Sequence, residues 1–544
     1  MAVETTKSGQ VHVSDAQLMQ LMLQKRFHHA KHQRKDYSHL FRPKSRWELI
    51  RLTLLFVGIQ FTYAAQTAFV TPILLAIGLS HTFMTMTWAF SPALGFFCAP
   101  MIASISDQIR LEWGRRRPVL LTLGVGLILG LLILPHGKRI GLTLGDLEDQ
   151  PIGFRWGIML TVLGMILIDF NVETCNGVAR TYFMDMCIKE DHTRVLTAAV
   201  MIGGLGGLTG YILGSIDWSL TNIGSLVGSN EALVFAAVVI IVIIGLVATL
   251  TSFREVPLPL MEQDELLKPI SAAAFEVEKR RNKSAINSIS GRQSIIQIDT
   301  SSSLKLINED IVQSPGIKTF LRNFFRMPKA LGILYFTQFL SHLGYLSYCL
   351  YFTDFVGRQI FQGDVTAPEN SQEFRLYNEG VRFGCLGMAI FILSSSVYSI
   401  FLEWLIRKFG IKPIYVSGLL LNGIGMLVAA LTEQRFAVFV CSFTMGIEYS
   451  IICSLPFLLI SHYHMKNSFE MTNTLQYVTC TQKRGFGADI SMLSSMLFLA
   501  QILTSLTIGS IIDSTGTTTC VMYSASLFSG LAALSATRIV YMDL

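Results

Sequence analysis

Apolar runs of about 20 residues recur along the whole chain, and no other feature narrows its fold as much. Each run is long enough to cross about 30 Å of hydrocarbon as an α-helix, and in lipid only helices and closed barrels satisfy their own backbone N–H and C=O groups. About twelve such runs predict an all-α polytopic membrane protein. Composition agrees, since 51% of the 544 residues are hydrophobic and only 15% charged, too little charge to cover a soluble surface of this size. The nine cysteines lie in or beside the apolar runs, so disulfides are not expected to hold the fold.

The predicted spans fall near 49–72, 83–105, 118–135, 157–184, 194–215 and 232–252, then near 328–352, 381–403, 412–431, 437–460, 490–512 and 519–540. Residues 1–45 read as a basic cytoplasmic tail with no apolar segment ahead of it, hence without a cleavable signal peptide. Within it, Leu18 to Leu23 fits either an amphipathic helix on an anionic leaflet or a disordered stretch. Residues 46–253 form a first six-helix bundle, 254–327 a charged cytoplasmic linker, and 328–544 a second bundle with a short cytoplasmic end. The net charge of +6 is concentrated in loops, which makes it a topology signal and not a nucleic-acid footprint. Arg110, Arg115, Arg116 and Arg117 crowd the short loop after the second span, placing it and both termini in the cytoplasm. Arg407-Lys408-Phe409-Gly410 repeats that loop more weakly after the eighth span, as an internal duplication around a midplane site would leave it. Gly203 and Gly207, with Gly206, Gly210 and Gly214, form two ridges of small residues on the fifth span where another backbone can approach.

The fourth span carries Asp169, Glu173, Asn176 and Arg180. Spacings of four, seven and eleven return to nearly the same helix face, so these side chains form one polar stripe. Ionisable groups at that depth face a wet pathway or another charge. Asp169 and Glu173 lie about 6 Å apart along the axis, where two carboxylates cannot both ionise cheaply, as a proton-coupling site requires. Arg180, about 16 Å further on, meets a carboxylate of another helix or the solute. The alternative is a structural buried ion network.

Gln338, His342 and Tyr345 share a face of the seventh span and supply donors, acceptors and a flat ring, which suits a polyhydroxylated ligand. His342 fits equally a hydrogen bond between helices. In the first span Gln60, Tyr63 and Thr67 lie roughly on one side, with Gln66 turned away. Glu448, near the middle of the tenth span, is either a titratable acid facing the cavity or a protonated group in helix packing. Arg382 opens the eighth span and either pairs inside the membrane or snorkels outward. Asp107, Gly114, Arg115, Arg116 and Arg117 form a gating loop whose acid and arginines pair with each other and with helix ends when the inner side is shut.

Six plus six spans, a long middle loop and the Asp107-x6-Gly114-Arg115-Arg116-Arg117-Pro118 loop resemble the major facilitator superfamily. In detail the chain resembles the solute carrier 45 family and, more distantly, the plant sucrose/proton symporters. The matching stretches are Tyr63 to Pro72, Asp107 to Pro118, Asp169 to Arg180, Tyr182 to Asp185, Thr353 to Arg358, Gly380 to Gly384, and Arg484 to Gly487. The likeness covers essentially all spans and fails in the tail and the middle loop. It implies a major facilitator fold and a rocker-switch carrier of sugar, sucrose or glucose, moving with protons. Relatives usually carry carboxylates where this chain has Gln60 and Gln66, which bears on proton coupling, and a proline where it has Val178, which predicts a straighter fourth helix.

No nucleotide-phosphate loop, metal-ligand cluster or nucleophile motif marks an enzyme, and no cofactor or metal is expected. The reading is a proton-coupled sugar symporter working by alternating access, its partners a small-molecule solute, protons and the lipid bilayer. The alternatives are a carrier of a small cationic amine and a transporter-shaped sensor. Glu262-x-x-x-Leu266-Leu267 fits an acidic dileucine signal read by sorting adaptors, which favours an endolysosomal or vesicle membrane, while the sugar-carrier resemblance leaves the plasma membrane open.

Overall fold

The computed structural model describes residues 15–33, 35–146, 156–188, 191–218, 230–267, 328–368, 371–466, 468–471, 477–479 and 486–539. Twelve long helices dominate these residues. In the first half they are α3 (Leu55–Ala76), α4 (His81–Gln108), α5 (Arg117–Thr143), α6 (Trp156–Asp185), α7 (His192–Ser215) and α8 (Asn230–Leu250). In the second half they are α10 (Lys329–Phe355), α11 (Gln372–Phe409), α12 (Ile411–Thr432), α13 (Arg435–Lys466), α14 (Phe486–Thr515) and α15 (Thr519–Ala536). Ten of the described helices are long and apolar enough to cross a membrane; α4 and α10 are as long and pack among them. Shorter helices α1 (Asp15–Lys31), α2 (Arg46–Thr53) and α9 (Leu258–Gln263) lie at one end of the bundle.

The ends of the helices have local causes. The first predicted span is split: Ser45 and Glu48 form a capping box that starts α2, and α3 follows as a separate helix. Ser371 caps α11 through Phe374 N–H at 3.1 Å, so the eighth helix runs 38 residues and begins nine residues ahead of its apolar run. α6, with Val178 in place of a proline, is unbroken over 30 residues. A short antiparallel pair, β1 (Ser468–Met471) and β2 (Tyr477–Thr479), lies between α13 and α14, an element that hydropathy cannot signal.

Within the first half α3 packs on α7 and α8, and α5 on α6 and α8; within the second, α12 and α10 pack on α15, and α11 on α13. The halves meet chiefly along three pairs, α4 with α14, α7 with α11, and α3 with α10, and α3 also touches α11. The glycine ridges of α7 serve these approaches. A Cβ on Gly206 would overlap the Val57 carbonyl of α3, and one on Gly210 would sit 2.5 Å from Phe61. On the other side Gly207 and Gly214 abut Ile392 and Cys385 of α11.

The described part of the tail is a helix, as one of its two readings had it, and not a disordered stretch. α1 is a folded helix laid on the protein: Leu18 and Ala30 are buried, and Ala30 joins Tyr37, Phe41, Val256 and Leu267 in a small apolar cluster. The beginning of the linker supplies that apolar surface, so the helix buries its face against protein. The rest of the linker, 268–327, and Arg34 lie outside the described residues. The end of the molecule bearing α1 is called the tail face here, and the opposite end the far face.

Candidate functional site

Asp169 stands about midway along α6, where the halves meet. Gln66 of α3 donates its amide to Asp169 Oδ1 at 2.9 Å, and Gln501 of α14 approaches Oδ2 at 3.5 Å. One donor comes from each half. The Tyr63 hydroxyl donates to Glu173, and Arg180 Nε donates to Asn176 Oδ1 at 3.0 Å. Arg180 is exposed, its guanidinium 5.5 Å from the Phe56 ring, and among the described residues it pairs with no carboxylate.

Gln66 is therefore not turned away. Residues 63 and 66 are three apart and share a face, and α6 crosses α3 over that face. Gln60 instead lies beside α7, where a Cβ on Gly203 would come within 2.9 Å of its side chain, and Thr67 shares a 2.7 Å hydrogen bond with Tyr211. An ionised carboxylate at the bilayer centre costs about 2.5–3.5 kcal/mol on the mildest scale. A hydrogen bond to a charged group returns about 1.5–3 kcal/mol. These amides return part of that cost, and losing either one disfavours the anion further.

In the second half the predicted face divides. Gln338 is buried and donates to the Ile452 carbonyl at 3.0 Å, a contact between α10 and α13. His342 Nδ1 lies 2.7 Å from the Gln338 carbonyl. A carbonyl only accepts, so Nδ1 carries the proton and Nε2 of the neutral ring is left as an acceptor. Its ring meets Tyr345 edge-on at 6.4 Å, Tyr345 lies 5.1 Å from Tyr449, and Tyr449 lies 5.4 Å from Phe391. Three helices thus build one aromatic wall with half-buried tyrosines.

Glu448, next to Tyr449, points the other way. It is fully buried and accepts from Ser529 of α15 at 3.0 Å, so it stands in helix packing and not beside the α6 carboxylates. One helical position of 100° separates the two environments.

Arg382 pairs with Asp217 across the halves at 2.9 Å. Thr82 donates to Asp513 from its backbone at 2.9 Å, Thr71 to the Leu350 carbonyl at 2.7 Å, and Thr353 to the Ala68 carbonyl at 3.1 Å. All four join the halves toward the far face. Along α7 and α11, Gly204 still abuts Ser396, but one turn nearer the tail face Val200 and Ile400 are 60% and 72% exposed. The halves are closed at the far face, and on the α7–α11 side they part toward the tail face.

The gating loop is held inside the first half. Arg115 and Arg116 reach Asp185 Oδ2 at 2.9 and 2.5 Å. Glu255 accepts the backbone N–H groups of Arg116 and Arg117 at 3.1 and 3.3 Å, at the start of α5, where a carboxylate complements the helix dipole. Gly114 has φ +123°, and a Cβ there would overlap Glu255. Burial pushes the Glu255 carboxyl above the ordinary carboxylate range, against the lowering effect of those amides and of Arg115. The expected partner, Asp107, has its side chain outside the described residues. Asp185, Glu255, Asp217, Gln501, Tyr449 and Phe391 were missed in sequence because their partners lie far away in the chain.

No family model matches the chain. It is 31% identical to the membrane-associated transporter protein of Mus musculus, over 89% of this chain and 92% of that one. It is 28% identical to proton-associated sugar transporter A of Rattus norvegicus, over 92% and 87%. A partially occluded, inward-open structure of the xylose transporter XylE from E. coli superposes with a TM-score of 0.56 at 12% identity, over 91% and 100%, a likeness of fold. The twelve-helix architecture in two halves, a charged site between them and this full-length likeness agree: the chain is a multi-pass membrane transporter, not an enzyme, and belongs to the solute carrier 45 family.

Proposed function

We propose that the protein is a proton-coupled sugar symporter working by alternating access, with its tail face in the cytoplasm. The observation that carries this reading is the bridging of Asp169 by an amide from each half. The anion accepts both N–H groups; once protonated, one of its oxygens becomes a donor and an acceptor is lost. Protonation therefore weakens one of the two amide contacts, which biases the equilibrium between the rocked states. Gln66, an amide where relatives usually have an acid, serves as a standing donor, so a single carboxylate suffices at this point.

The aromatic wall of Tyr345, Tyr449 and Phe391, with His342 Nε2 as acceptor, suits a sugar, which offers hydroxyls at its rim and an apolar ring face. One relative is named a proton-associated sugar transporter. Arg180, exposed and without a carboxylate partner among the described residues, disfavours a cationic amine. Arg115, Arg116 and Arg117 at the tail face support its cytoplasmic placement, in a plasma or endolysosomal membrane.

The test is uptake of radiolabelled sucrose and glucose into proteoliposomes with and without a proton gradient. Gradient-driven accumulation is expected, with Asp169→Asn abolishing it while leaving sugar exchange. Undiminished proton-driven accumulation in that variant would remove Asp169 from coupling. Uptake of amines in place of sugars would overturn the solute class, and binding without accumulation would indicate a sensor.

A further inference from the structure

The segment Glu262 to Leu267 has the spacing of an acidic dileucine signal, and its first acid and second leucine are already engaged. Glu262 pairs with Arg110 of the gating loop at 3.2 Å. Asp264 meets His29 Nε2 at 2.5 Å and accepts from Gln33 at 2.9 Å, both residues belonging to the tail. Leu267 is 1% exposed, in one cluster with Ala30, Tyr37 and Phe41 of the tail and Val256. Asp264 also accepts the Leu266 N–H at 3.0 Å, within the tight 3-10 turn Glu265–Leu267. His39 adds a second tie, at 2.9 Å from the Arg254 carbonyl.

A protein that recognises such a signal needs it extended, with both leucines seated in apolar pockets and the acid on a basic patch. Here the turn, the buried leucine and the paired acids forbid that engagement. We propose that residues 262–267 are a concealed binding site for a trafficking adaptor, and that helix α1 is its cover. The tail and the adaptor compete for Leu267, and the tail's hold on Asp264, inside the signal, keeps the segment turned in, so adaptor affinity is reduced by the fraction of time the cover is closed. Arg110 ties the same segment to the gating loop, so the cover is anchored on the half that carries Asp169.

The proposal rests on the cytoplasmic placement of the tail face, which protease access to a tag at the amino terminus of intact cells reads separately. It is independent of the solute. The experiment measures binding of a purified adaptor complex that reads acidic dileucines to the full-length protein in lipid nanodiscs. Three forms are compared: native, His29→Ala/Gln33→Ala, and that double variant with Leu266→Ala/Leu267→Ala added. Gel filtration and thermal unfolding confirm that each form remains folded. Opening the cover is expected to tighten binding about tenfold, and the added leucine substitutions to abolish the gain. Equal binding by native and opened forms, no binding by the opened form, or a gain that survives loss of both leucines would each overturn the proposal.

Discussion

Tyr63 and Glu448 show how a single hydroxyl or a single helical position sets what an acid inside the bundle does. Tyr63 gives Glu173 the hydrogen bond named above. Tyr63→Phe removes a hydrogen bond to a half-buried acid and should lower stability by about 1 kcal/mol, read as a lower melting temperature of the solubilised protein. Glu448 is fully buried against Ser529. Glu448→Gln should leave the pH profile of uptake unchanged, whereas Glu448→Ala should destabilise by about 1–3 kcal/mol. A pH profile altered by Glu448→Gln would return that residue to the coupling machinery. Tyr63, Asp169 and Glu173 were legible as polar residues inside apolar runs; that Gln66 faces Asp169 was not, because helix crossing decides it.

Helix pairing depends on positions that carry no side chain and on acids that sit at helix starts. Gly206→Leu on α7 forces a branched side chain toward the Val57 carbonyl and should cost about 1–3 kcal/mol or more through overpacking, seen as loss of the folded, monodisperse protein. Glu255 binds the start of α5 and has a raised pKa from burial. Above its ordinary value of 4.5 the unfolded chain has released this proton while the folded chain still holds it. Stability from this group is therefore full below that pH and is lost as pH rises through the folded value. Glu255→Gln should flatten the pH dependence of the melting temperature in this range, and an unchanged slope would assign it to other groups. The small-residue ridge of α7 was readable from spacing alone, whereas Asp185 and Glu255, distant in the chain from Arg115 and Arg116, carried no local signal.

Across the whole molecule, the far face is latched by pairs that join the two halves, among them Arg382 with Asp217. Arg382→Glu should open that face and raise labelling of Cys385, a buried thiol at the α7 and α11 contact, by a membrane-impermeant reagent from that side. Arg382→Glu combined with Asp217→Arg should restore protection, and unaltered labelling in the single variant would show that the pair is no latch. The sequence by itself determined the twelve helices, the two halves and the place of Asp169 inside an apolar helix, because the cost of placing a residue in lipid depends on that residue and its near neighbours. Only the tertiary structure decided that Gln66 and Gln501 meet Asp169, that Glu448 turns into helix packing and that α1 covers Leu267. Those outcomes depend on how separate helices cross, and crossing angle and rotation are set by side-chain packing between segments far apart in the chain.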